Sequence, residues 1–528
     1  MSDQPSDPFA VHTEWVLGRD LPVFTHRPRT LREMLAATDR FDDVPYLIID
    51  QHRLDYRQVR ERVARLAAAL RDGHGVRHGE RVAICAENRL EWLLTFWATA
   101  CLGAIAVGVN SWWSAEETAH YLSDAEPRLL VVSERMAKRL GPFEVPVLAM
   151  EEVDRLSTAG PDPGLPEDPI AEDDPVVILY TSGTTGRSKG AVNTHRNAIA
   201  MVMLQTMALV RERLADPASP VDIGCSSYPF FHVSGLFGSL LCPTVRGDTS
   251  VFVTGRFDAE RVLATIEAER CTKVSVVPTT AARMVQFVEA DPGRFDLTSI
   301  TRVTGGGAPM PPALQERLRV AFPNAGLSFG YGLTECAGLA TGCGDADLRA
   351  HPTTAGRVYP TVQLEVRDPE GRVLPPGEEG LVHIRGAMVM PGYWRNPEAT
   401  AAAIDPAGWL ATGDLGSLRD GLLHLSARRT DLILRGGENV YPAEIEAALV
   451  AHPQVLEAAV VGVPHADLGQ EVAAHVVLAP GSELTAADLI EHLRPRLAYF
   501  KIPSRWVLGG VALPRTPSGK LVRNQVRV

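Results

Sequence analysis

A loop rich in glycine, hydroxyl and basic residues is the clearest chemical signal in the sequence. Residues 181–190 read Thr-Ser-Gly-Thr-Thr-Gly-Arg-Ser-Lys-Gly and directly follow the apolar run 176–180, which predicts a buried strand. Glycine lets backbone N–H groups approach phosphate oxygens closely, while the hydroxyls and Lys189 add further donors. Because Lys189 follows Ser188 and precedes Gly190, the loop is not a Walker A motif. We therefore predict a phosphate-binding loop of another kind, with a flexible hairpin as the alternative.

Four further polar segments follow this loop along the chain. They are Tyr331-Gly-Leu-Thr-Glu335, Thr412-Gly-Asp414, the run 428–439 with Pro442-Ala-Glu-Ile-Glu446, and Pro514-Arg-Thr-Pro-Ser-Gly-Lys520. Each has an ordinary alternative: a helix-start carboxylate for Glu335, core for Tyr331, a turn for Asp414 and a solvated tail charge for Lys520. Residues 492–528 hold eight Lys or Arg and no Asp or Glu. Such a local positive field suits ligands with phosphate groups and supports a chemical role for Lys520.

With these five segments in this order, the sequence resembles the adenylate-forming enzymes. That family includes acyl-CoA synthetases, 4-coumarate-CoA ligases, luciferases and the adenylation domains of peptide synthetases. The resemblance spans residues 176–520 and implies two half-reactions at one site. ATP and a carboxylic acid first give acyl-AMP and pyrophosphate, and a thiol then takes the acyl group and releases AMP. Since the first step brings two anions together, cations and fixed donors must hold the developing charge.

The resemblance also implies a role for individual residues. Phosphate contacts would come from Thr181, Ser182, Gly183, Thr184, Thr185, Gly186 and Lys189 of the loop, and from Thr334. Adenine would lie between Tyr331 and a wall of Gly305, Gly306 and Gly307, with Asp414 and Arg428 on the ribose. Thr184 and Glu335 would hold Mg²⁺, a hard ion suited to oxygen ligands. Lys520 would bridge the attacking carboxylate and the phosphate, and Gly437 would let the pantetheine arm of CoA pass.

By the same resemblance, the segment Tyr228-Pro-Phe-Phe-His-Val-Ser-Gly235 lines the acyl pocket. Its expected pocket residues are His232, Val233, Ser234, Gly238 and Gly332. Amino-acid-activating relatives place an Asp in this segment; with His232 instead, a substrate ammonium would be buried unpaired, at a high cost. We count His232 among the catalytic residues, as a gate, with a core histidine as the alternative. Aryl-acid ligases carry Tyr where this chain has Ser234. Together with Gly238, that small residue predicts an open pocket for an aliphatic chain, unless helix packing explains both.

The expected activity is that of an ATP-dependent acyl-CoA synthetase for a medium- or long-chain fatty acid or a similar hydrophobic carboxylate, using ATP, Mg²⁺ and CoA. Only eight residues follow Lys520. The expectation is therefore a stand-alone ligase that passes its acyl group to free CoA. Three alternatives stay open: an aryl-acid CoA ligase of the 4-coumarate type, a fatty acyl-AMP ligase serving a carrier protein, and a non-catalytic nucleotide-binding scaffold.

The elements that must position these residues alternate between helix and strand in the first third of the chain. Residues 56–70 predict a helix, 81–85 and 129–132 predict strands, and this alternation is typical of parallel sheets covered by helices on both faces. Residues 363–425 predict short alternating strands that form an antiparallel sheet or a small barrel. The expected fold class is α/β: a large N-terminal domain, 1–427, of two doubly wound α/β subdomains plus the antiparallel β-barrel, and a small mobile α+β domain, 428–528. The hinge between them would lie at Thr430.

Composition limits the class of protein further. The chain has 528 residues, 45% of them hydrophobic, so it can bury several cores without disulfides. A formal charge of −12 disfavours nucleic-acid binding. Seven cysteines without a C-x-x-C pair predict reduced, mostly buried thiols in a cytoplasmic protein. The apolar stretch 92–109 is long enough for a marginal membrane span, but Gly103 favours a buried helix followed by a strand. Peripheral membrane contact and the choice between monomer and homodimer stay open.

Overall fold

The protein is described here from a computed structural model that covers residues 7–181, 188–216, 220–428, 431–435, 438–465, 468–497, 499–516 and 521–528. Strands make up two large sheets, one small sheet and a separate hairpin. In chain order they are β1 Val11–Val16, β2 Arg19–Phe24, β3 Pro45–Ile49, β4 His52–Asp55, β5 Arg81–Cys85, β6 Ile105–Gly108, β7 Leu129–Val132, β8 Val147–Ala149, β9 Pro175–Thr181, β10 Lys189–Thr194, β11 Ile223–Ser226, β12 Thr249–Phe252, β13 Lys273–Val276, β14 Arg302–Gly306, β15 Gly326–Tyr331, β16 Thr341–Cys343, β17 Thr354–Val358, β18 Val362–Arg367, β19 Gly380–Gly386, β20 Gly392–Tyr393, β21 Leu410–Arg419, β22 Leu422–Arg428, β23 Ile433–Arg435, β24 Glu438–Val440, β25 Val455–His465, β26 Gly469–Leu478 and β27 Arg505–Gly509.

Helices alternate with these strands as the sequence predicts. In chain order they are α1 Leu31–Ala36, α2 Tyr56–Gly73, α3 Leu90–Cys101, α4 Ala115–Ala125, α5 Glu134–Leu140, α6 Met150–Thr158, α7 His195–Ala215, α8 Pro243–Arg246, α9 Ala259–Ala268, α10 Pro278–Ala290, α11 Pro312–Ala321, α12 Asp345–Ala350, α13 Pro397–Ala403, α14 Pro442–Val450 and α15 Ala486–Leu493. Residues Ser114-Ala-Glu-Glu117 predict a capping box at the start of α4, and it is confirmed: the Ser114 side chain accepts from the Glu117 N–H, and the Glu117 carboxylate accepts from the Ser114 N–H. The last helix, which the sequence predicts over 486–497, ends at Leu493, because Pro495 has no N–H to continue the hydrogen bonds of the helix.

The first large sheet holds the strand that leads into the phosphate loop. Its seven strands run in the order β20-β10-β9-β6-β5-β7-β8, and β9, β6, β5, β7 and β8 are parallel. The predicted strands at 81–85 and 129–132 are confirmed as β5 and β7. Strand β9 lies between β10 and β6, and pairing with Lys189 holds its end at Thr181 to the sheet where the loop begins.

The second large sheet has thirteen strands in the order β18-β19-β21-β22-β17-β16-β15-β14-β13-β11-β12-β3-β4. Six neighbouring strands are parallel: β15, β14, β13, β11, β12 and β3. The remaining strands on the β15 side, β16, β17, β22, β21, β19 and β18, pair antiparallel with their neighbours. The expected separate β-barrel is not confirmed. Instead, the antiparallel strands over 354–428 continue the parallel sheet through β16 and β17, and no pairing of β18 with β17 closes them among the described residues.

The apolar stretch 92–109 divides as predicted. It forms α3, whose twelve residues are all buried, and then β6 inside the first sheet. Gly103 lies between them at φ +66°, a backbone angle that favours glycine. In the described part of the chain, no helix is both long and apolar enough to cross a membrane. All seven cysteines are free and buried, as the sequence predicts.

The last hundred residues form a smaller α+β unit with its own core. Strands β24, β23, β26 and β25 are antiparallel neighbours, and β27 pairs in parallel with β26. Helices α14 and α15 cover the sheet, and Ile445, Leu449, Leu489 and Leu493 are fully buried against it. The large domain followed by a small one agrees with the expected fold class, while the boundary at 427/428 stays a prediction.

Candidate active site

The ends of parallel strands from both large sheets bring the predicted residues together. Thr181 ends β9, Gly305 and Gly306 end β14, and Tyr331 ends β15. Ligands of open α/β sheets bind outside the carboxyl ends of the strands, so this edge is the expected place for a site. The two sheets meet here, because the Thr181 hydroxyl lies 3.5 Å from the Glu335 carboxylate.

Glu335 is the best-defined carboxylate of the candidate site. It lies in a short 3-10 turn, Thr334–Cys336, directly after β15. Its Oε1 accepts a 2.8 Å hydrogen bond from the Tyr393 hydroxyl, and its backbone carbonyl accepts from the Met390 N–H at 2.9 Å. Burial, followed by the charge of Glu335, raises the pKa of Tyr393, so the phenol stays a donor. Sequence reasoning missed Tyr393, although the short Gly-Tyr-Trp run at 392–394 was a signal.

Lys189, the lysine of the predicted phosphate loop, lies within the described residues. Cross-strand pairing places it opposite Thr181, at the mouth of the β9–β10 hairpin. Its Nζ lies 5.2 Å from the centre of the Tyr393 ring, a cation–π distance. The predicted loop residues Ser182, Gly183, Thr184, Thr185 and Gly186 lie outside the described residues.

Tyr331 and Asp414 form a second pair of a tyrosine hydroxyl and a carboxylate. The Tyr331 hydroxyl donates to Asp414 Oδ2 at 2.7 Å, and Asp414 is 7% exposed. Burial, followed by the charge of Asp414, raises the pKa of Tyr331 well above its usual value. Asp414 is also the cross-strand partner of Arg428. The three residues predicted for adenine and ribose are thus neighbours, which is what their expected roles require.

The predicted glycine wall is held by close backbone contacts. A Cβ on Gly305 would lie 2.1 Å from the Val276 carbonyl oxygen, and one on Gly306 would lie 2.7 Å from the Gly330 carbonyl oxygen. Gly307 has φ +79°, where a side chain would be strained. Any other residue at 305 or 306 would push neighbouring parallel strands apart, so these glycines keep the wall flat and free of side chains.

The predicted acyl segment folds into a tight turn followed by a π-helical segment, Ser234–Leu241. The His232 ring nitrogen Nδ1 and the Ser234 hydroxyl are 3.0 Å apart and share a hydrogen bond. The Asn88 side chain holds the turn from below, donating to the Tyr228 carbonyl at 2.7 Å and accepting from the Phe230 N–H at 3.0 Å. π-Helical segments are rare and occur frequently at functional sites.

Packing requires a glycine at position 332 but not at position 238. A Cβ on Gly332 would lie 2.5 Å from the backbone of Gly338, so that glycine is required by packing. A Cβ on Gly238 would lie 3.7 Å from both amide atoms of Gln205, at ordinary contact distance. Val233 packs against Gly338, within 3.0 Å of where a Cβ on that glycine would stand. Gln205, on α7, was missed by sequence reasoning because a single glutamine in an apolar helix has no motif.

Several predicted residues cannot be placed. Gly437, Lys520 and the expected hinge at Thr430 lie outside the described residues, and Arg428 is described by its backbone position in β22. Their assigned roles therefore stay predictions from the sequence.

Comparisons with known proteins give matches over most of the chain. Residues 35–394 match the model of the AMP-binding enzyme family, and residues 444–520 match the AMP-binding enzyme C-terminal domain. A feruloyl-CoA synthase from Amycolatopsis sp is 36% identical over 90% of this chain and 93% of its own length. A 4-coumarate–CoA ligase-like protein from Oryza sativa subsp. japonica is 35% identical over 88% of this chain and 80% of its own. The solved o-succinylbenzoate CoA synthetase of Bacillus subtilis, in complex with its acyl-adenylate intermediate, has a TM-score of 0.78 and 29% identity, covering 93% of this chain and 97% of its own.

Proposed function

Because the chain belongs to the AMP-binding enzyme family and is an AMP-forming acid–CoA ligase that uses ATP and CoA, we propose that its acid is aromatic and carries a polar group far from the carboxylate. Two of the curated relatives named above are a feruloyl-CoA synthase and a 4-coumarate–CoA ligase-like protein. Both names refer to hydroxylated aromatic acids. They favour the aryl-acid alternative over the expected medium- or long-chain fatty acid.

The observation that supports this proposal is the contact between Gly238 and Gln205. From the sequence, Gly238 is expected to leave open space into which an aliphatic chain could extend. In the structure, the Gln205 amide stands opposite this glycine. The Gln205 side chain is half-buried and forms no hydrogen bond with the described residues, whereas its backbone belongs to α7. An amide left without a partner beside an apolar tail is costly, whereas a phenolic hydroxyl would satisfy it.

Ser234 supports the same conclusion. Its small size suggested open space, but its hydroxyl shares a 3.0 Å hydrogen bond with the His232 ring. This bond fixes the His232 ring close to the turn at 228–233 and uses the serine as a polar partner. The hydrogen-bonded His232 and Ser234 therefore suit a pocket wall of fixed shape better than a wide channel for a flexible chain.

The proposed reaction begins when a carboxylate oxygen of the acid attacks the α-phosphorus of ATP. The bond from that phosphorus to the bridging oxygen breaks, and pyrophosphate leaves. Lys189, Thr181 and Thr334 would bind phosphate oxygens, Asp414 would accept from the ribose hydroxyls, and Lys520 would offset the repulsion between the two anions. The sulfur of CoA then attacks the acyl carbon, and AMP leaves.

The donor set of this site fits Mg²⁺. Oxygen ligands suit this hard cation, and Glu335 Oε2 has no hydrogen-bond partner among the described residues. Glu335 and Thr184 would hold the ion. When bound, it would neutralise charge on the phosphate oxygens.

The first test is pyrophosphate release with Mg-ATP over a panel of acids, with and without CoA. The panel contains ferulate, 4-coumarate, cinnamate, benzoate, octanoate, palmitate and several amino acids. We expect multiple turnover with ferulate or 4-coumarate and CoA, and weak activity on the aliphatic acids. Preference for palmitate would contradict the proposal. A single burst that CoA does not change would indicate an acyl-AMP ligase, and silence with bound ATP would indicate a scaffold.

A substitution of Gln205 tests the pocket directly. Gln205→Leu should lower kcat/KM for 4-coumarate about three- to tenfold, because one hydrogen bond to the phenol is lost. Activity on cinnamate, which lacks that hydroxyl, should be unchanged or higher. Gln286→Leu is the matched control, since this glutamine is exposed on α10. An equal loss on both acids would mean that Gln205 does not contact the distal end of the substrate.

A further inference from the structure

Tyr393 connects the two charged groups that the nucleotide site needs. Its hydroxyl donates to Glu335 Oε1 at 2.8 Å, and its ring lies 5.2 Å from Lys189 Nζ. Glu335 follows β15 of the thirteen-stranded sheet, while Lys189 begins β10 of the seven-stranded sheet. One side chain therefore spans the junction of the two sheets and contacts both groups.

The backbone around Tyr393 is anchored on both sides of the residue. Gly392 and Tyr393 pair with Val192 and Ala191 of β10. The Trp394 N–H donates to the Gly190 carbonyl at 2.7 Å, and the Trp394 ring N–H donates to the Asp124 carbonyl at 3.1 Å. A phenol on such a fixed backbone has little freedom to leave its carboxylate partner.

The hydrogen bonds on Glu335 are asymmetric. Oε1 receives the Tyr393 hydroxyl at 2.8 Å and lies 3.5 Å from the Thr181 hydroxyl. Oε2 has no hydrogen-bond partner in the part of the chain that the structure describes. The short bond from Tyr393 orients the carboxylate and directs the other oxygen away from the phenol, while the Thr181 hydroxyl, which also lies 3.5 Å from the Lys189 carbonyl, is a weaker partner. This is the arrangement by which hydrogen-bonded neighbours orient a metal-binding carboxylate.

We propose that Tyr393 is a positioning residue: its hydroxyl orients Glu335 toward a divalent cation on the nucleotide, and its ring holds Lys189 beside the same phosphates. The proposal rests on the proposed role of Glu335 as the metal-binding carboxylate. Tyr393 itself touches neither substrate nor metal. The substitution Tyr393→Phe separates the two functions, because it removes the hydroxyl that orients Glu335 and keeps the ring beside Lys189.

The test is the binding of Mn²⁺ to the full-length protein at saturating α,β-methylene-ATP, followed by electron paramagnetic resonance. Tyr393→Phe should weaken Mn²⁺ binding about tenfold, in the range found when a partner of a metal ligand is removed. In turnover, it should raise the Mg²⁺ concentration needed for half-maximal pyrophosphate release, and excess Mg²⁺ should restore kcat. Neither effect is expected from a loss of stability alone.

Tyr180→Phe is the matched control. The Tyr180 hydroxyl also donates to a carboxylate, Asp124, at 2.6 Å, but alternation along β9 directs it to the opposite face from Thr181. This variant should lower thermal stability and leave the Mn²⁺ affinity unchanged. An unchanged Mn²⁺ affinity in Tyr393→Phe, or an equal loss in Tyr180→Phe, would overturn the proposal.

A second comparison separates this proposal from the one on which it rests. In Glu335→Gln, Mn²⁺ binding should fall further than in Tyr393→Phe, and adding Tyr393→Phe should have no additional effect. Mn²⁺ binding that does not depend on Glu335 would overturn the metal role of that residue and, with it, the role of Tyr393. Failure of the acid panel would instead contradict the proposed substrate, since Mn²⁺ binding requires no acid.

Discussion

Carboxylates at the candidate site each have a tyrosine hydroxyl as a partner. Glu335 receives the hydroxyl of Tyr393, and Asp414 receives that of Tyr331. A phenol donates one hydrogen bond and remains neutral, so it orients a carboxylate without cancelling its charge. Each carboxylate is thus oriented by a neutral donor, which suits binding a cation or ribose hydroxyls.

Gly305 gives a prediction at the scale of a single residue. A methyl group at this position would lie 2.1 Å from the Val276 carbonyl oxygen, so β13 and β14 would have to separate. We expect Gly305→Ala to lower ATP affinity at least tenfold and to reduce stability by about 1–3 kcal/mol, the usual cost of overpacking. ATP titration and urea unfolding measure the two effects.

Gly344→Ala is the control for that prediction. A Cβ at Gly344 would have no neighbour within 4 Å, and the residue has φ −98°, which other residues adopt freely. It should behave like the unsubstituted protein in both measurements. Normal ATP affinity in Gly305→Ala would show that the glycine wall is not part of the adenine site.

At the scale of elements, the β1–β2 hairpin is tied to the start of α7 by partly buried ion pairs. Glu14 on β1 accepts from Arg27 Nη2 at 2.9 Å and from Arg196 Nη1 at 3.1 Å. Arg196 in turn donates to Asp173 at 2.6 Å. Since α7 directly follows β10, this cluster braces the strand that begins with Lys189.

The cluster gives a prediction for the pH dependence of stability. Partial burial raises the pKa of Glu14, but hydrogen bonds and positive charges from Arg27 and Arg196 outweigh it and lower the value from 4.5 to about 2. A lowered carboxyl pKa stabilises the folded state above the unfolded value, and this contribution is lost as pH falls from 4.5 towards 2. Between pH 7 and pH 3 the loss should be about 1–2 kcal/mol, allowing for solvent screening.

Urea unfolding of the unsubstituted protein and of Glu14→Gln at pH 7 and pH 3 checks this value, because their difference isolates Glu14 from other acids. Glu134→Gln is the control, since its pair with Lys138 is exposed on α5. A difference that does not change with pH would contradict the proposed role of the cluster.

Elements were predicted well from the sequence where a local pattern defines them. The strands at 81–85 and 129–132 and the capping box at Ser114 follow from apolar runs and cap residues next to them. The separate barrel is not confirmed, because local alternation reveals antiparallel strands but not which strand they join. Tyr393 and Gln205 were missed for a related reason: their roles depend on residues 58 and 33 positions away, Glu335 and Gly238.

At the scale of the whole molecule, the small unit after β22 is expected to move between the two half-reactions. The sequence places Lys520 in this unit and CoA-related Gly437 near its start. A lysine that neutralises the adenylation step would obstruct the thiol that follows, so the two steps need different positions of the unit.

Lys520→Ala tests this expectation. The variant should lose pyrophosphate release by a factor of about 100 or more, because the charge between the two anions is gone. Thioester formation from supplied acyl-AMP and CoA should remain close to normal. The two half-reactions are measured separately, and an equal loss of both would contradict the two-position mechanism.

The cross-strand pairing of Asp414 with Arg428 has a consequence for the fate of the intermediate. Both residues lie on neighbouring strands of the large sheet, β21 and β22, and both precede the hinge expected at Thr430. An acyl-adenylate held there by its ribose would remain seated while the surroundings of its reactive anhydride are exchanged. Water hydrolyses such an anhydride readily, so retention would protect the energy taken from ATP. In this enzyme, the strength of ribose binding would determine how much acyl-adenylate is released or hydrolysed before CoA attacks it.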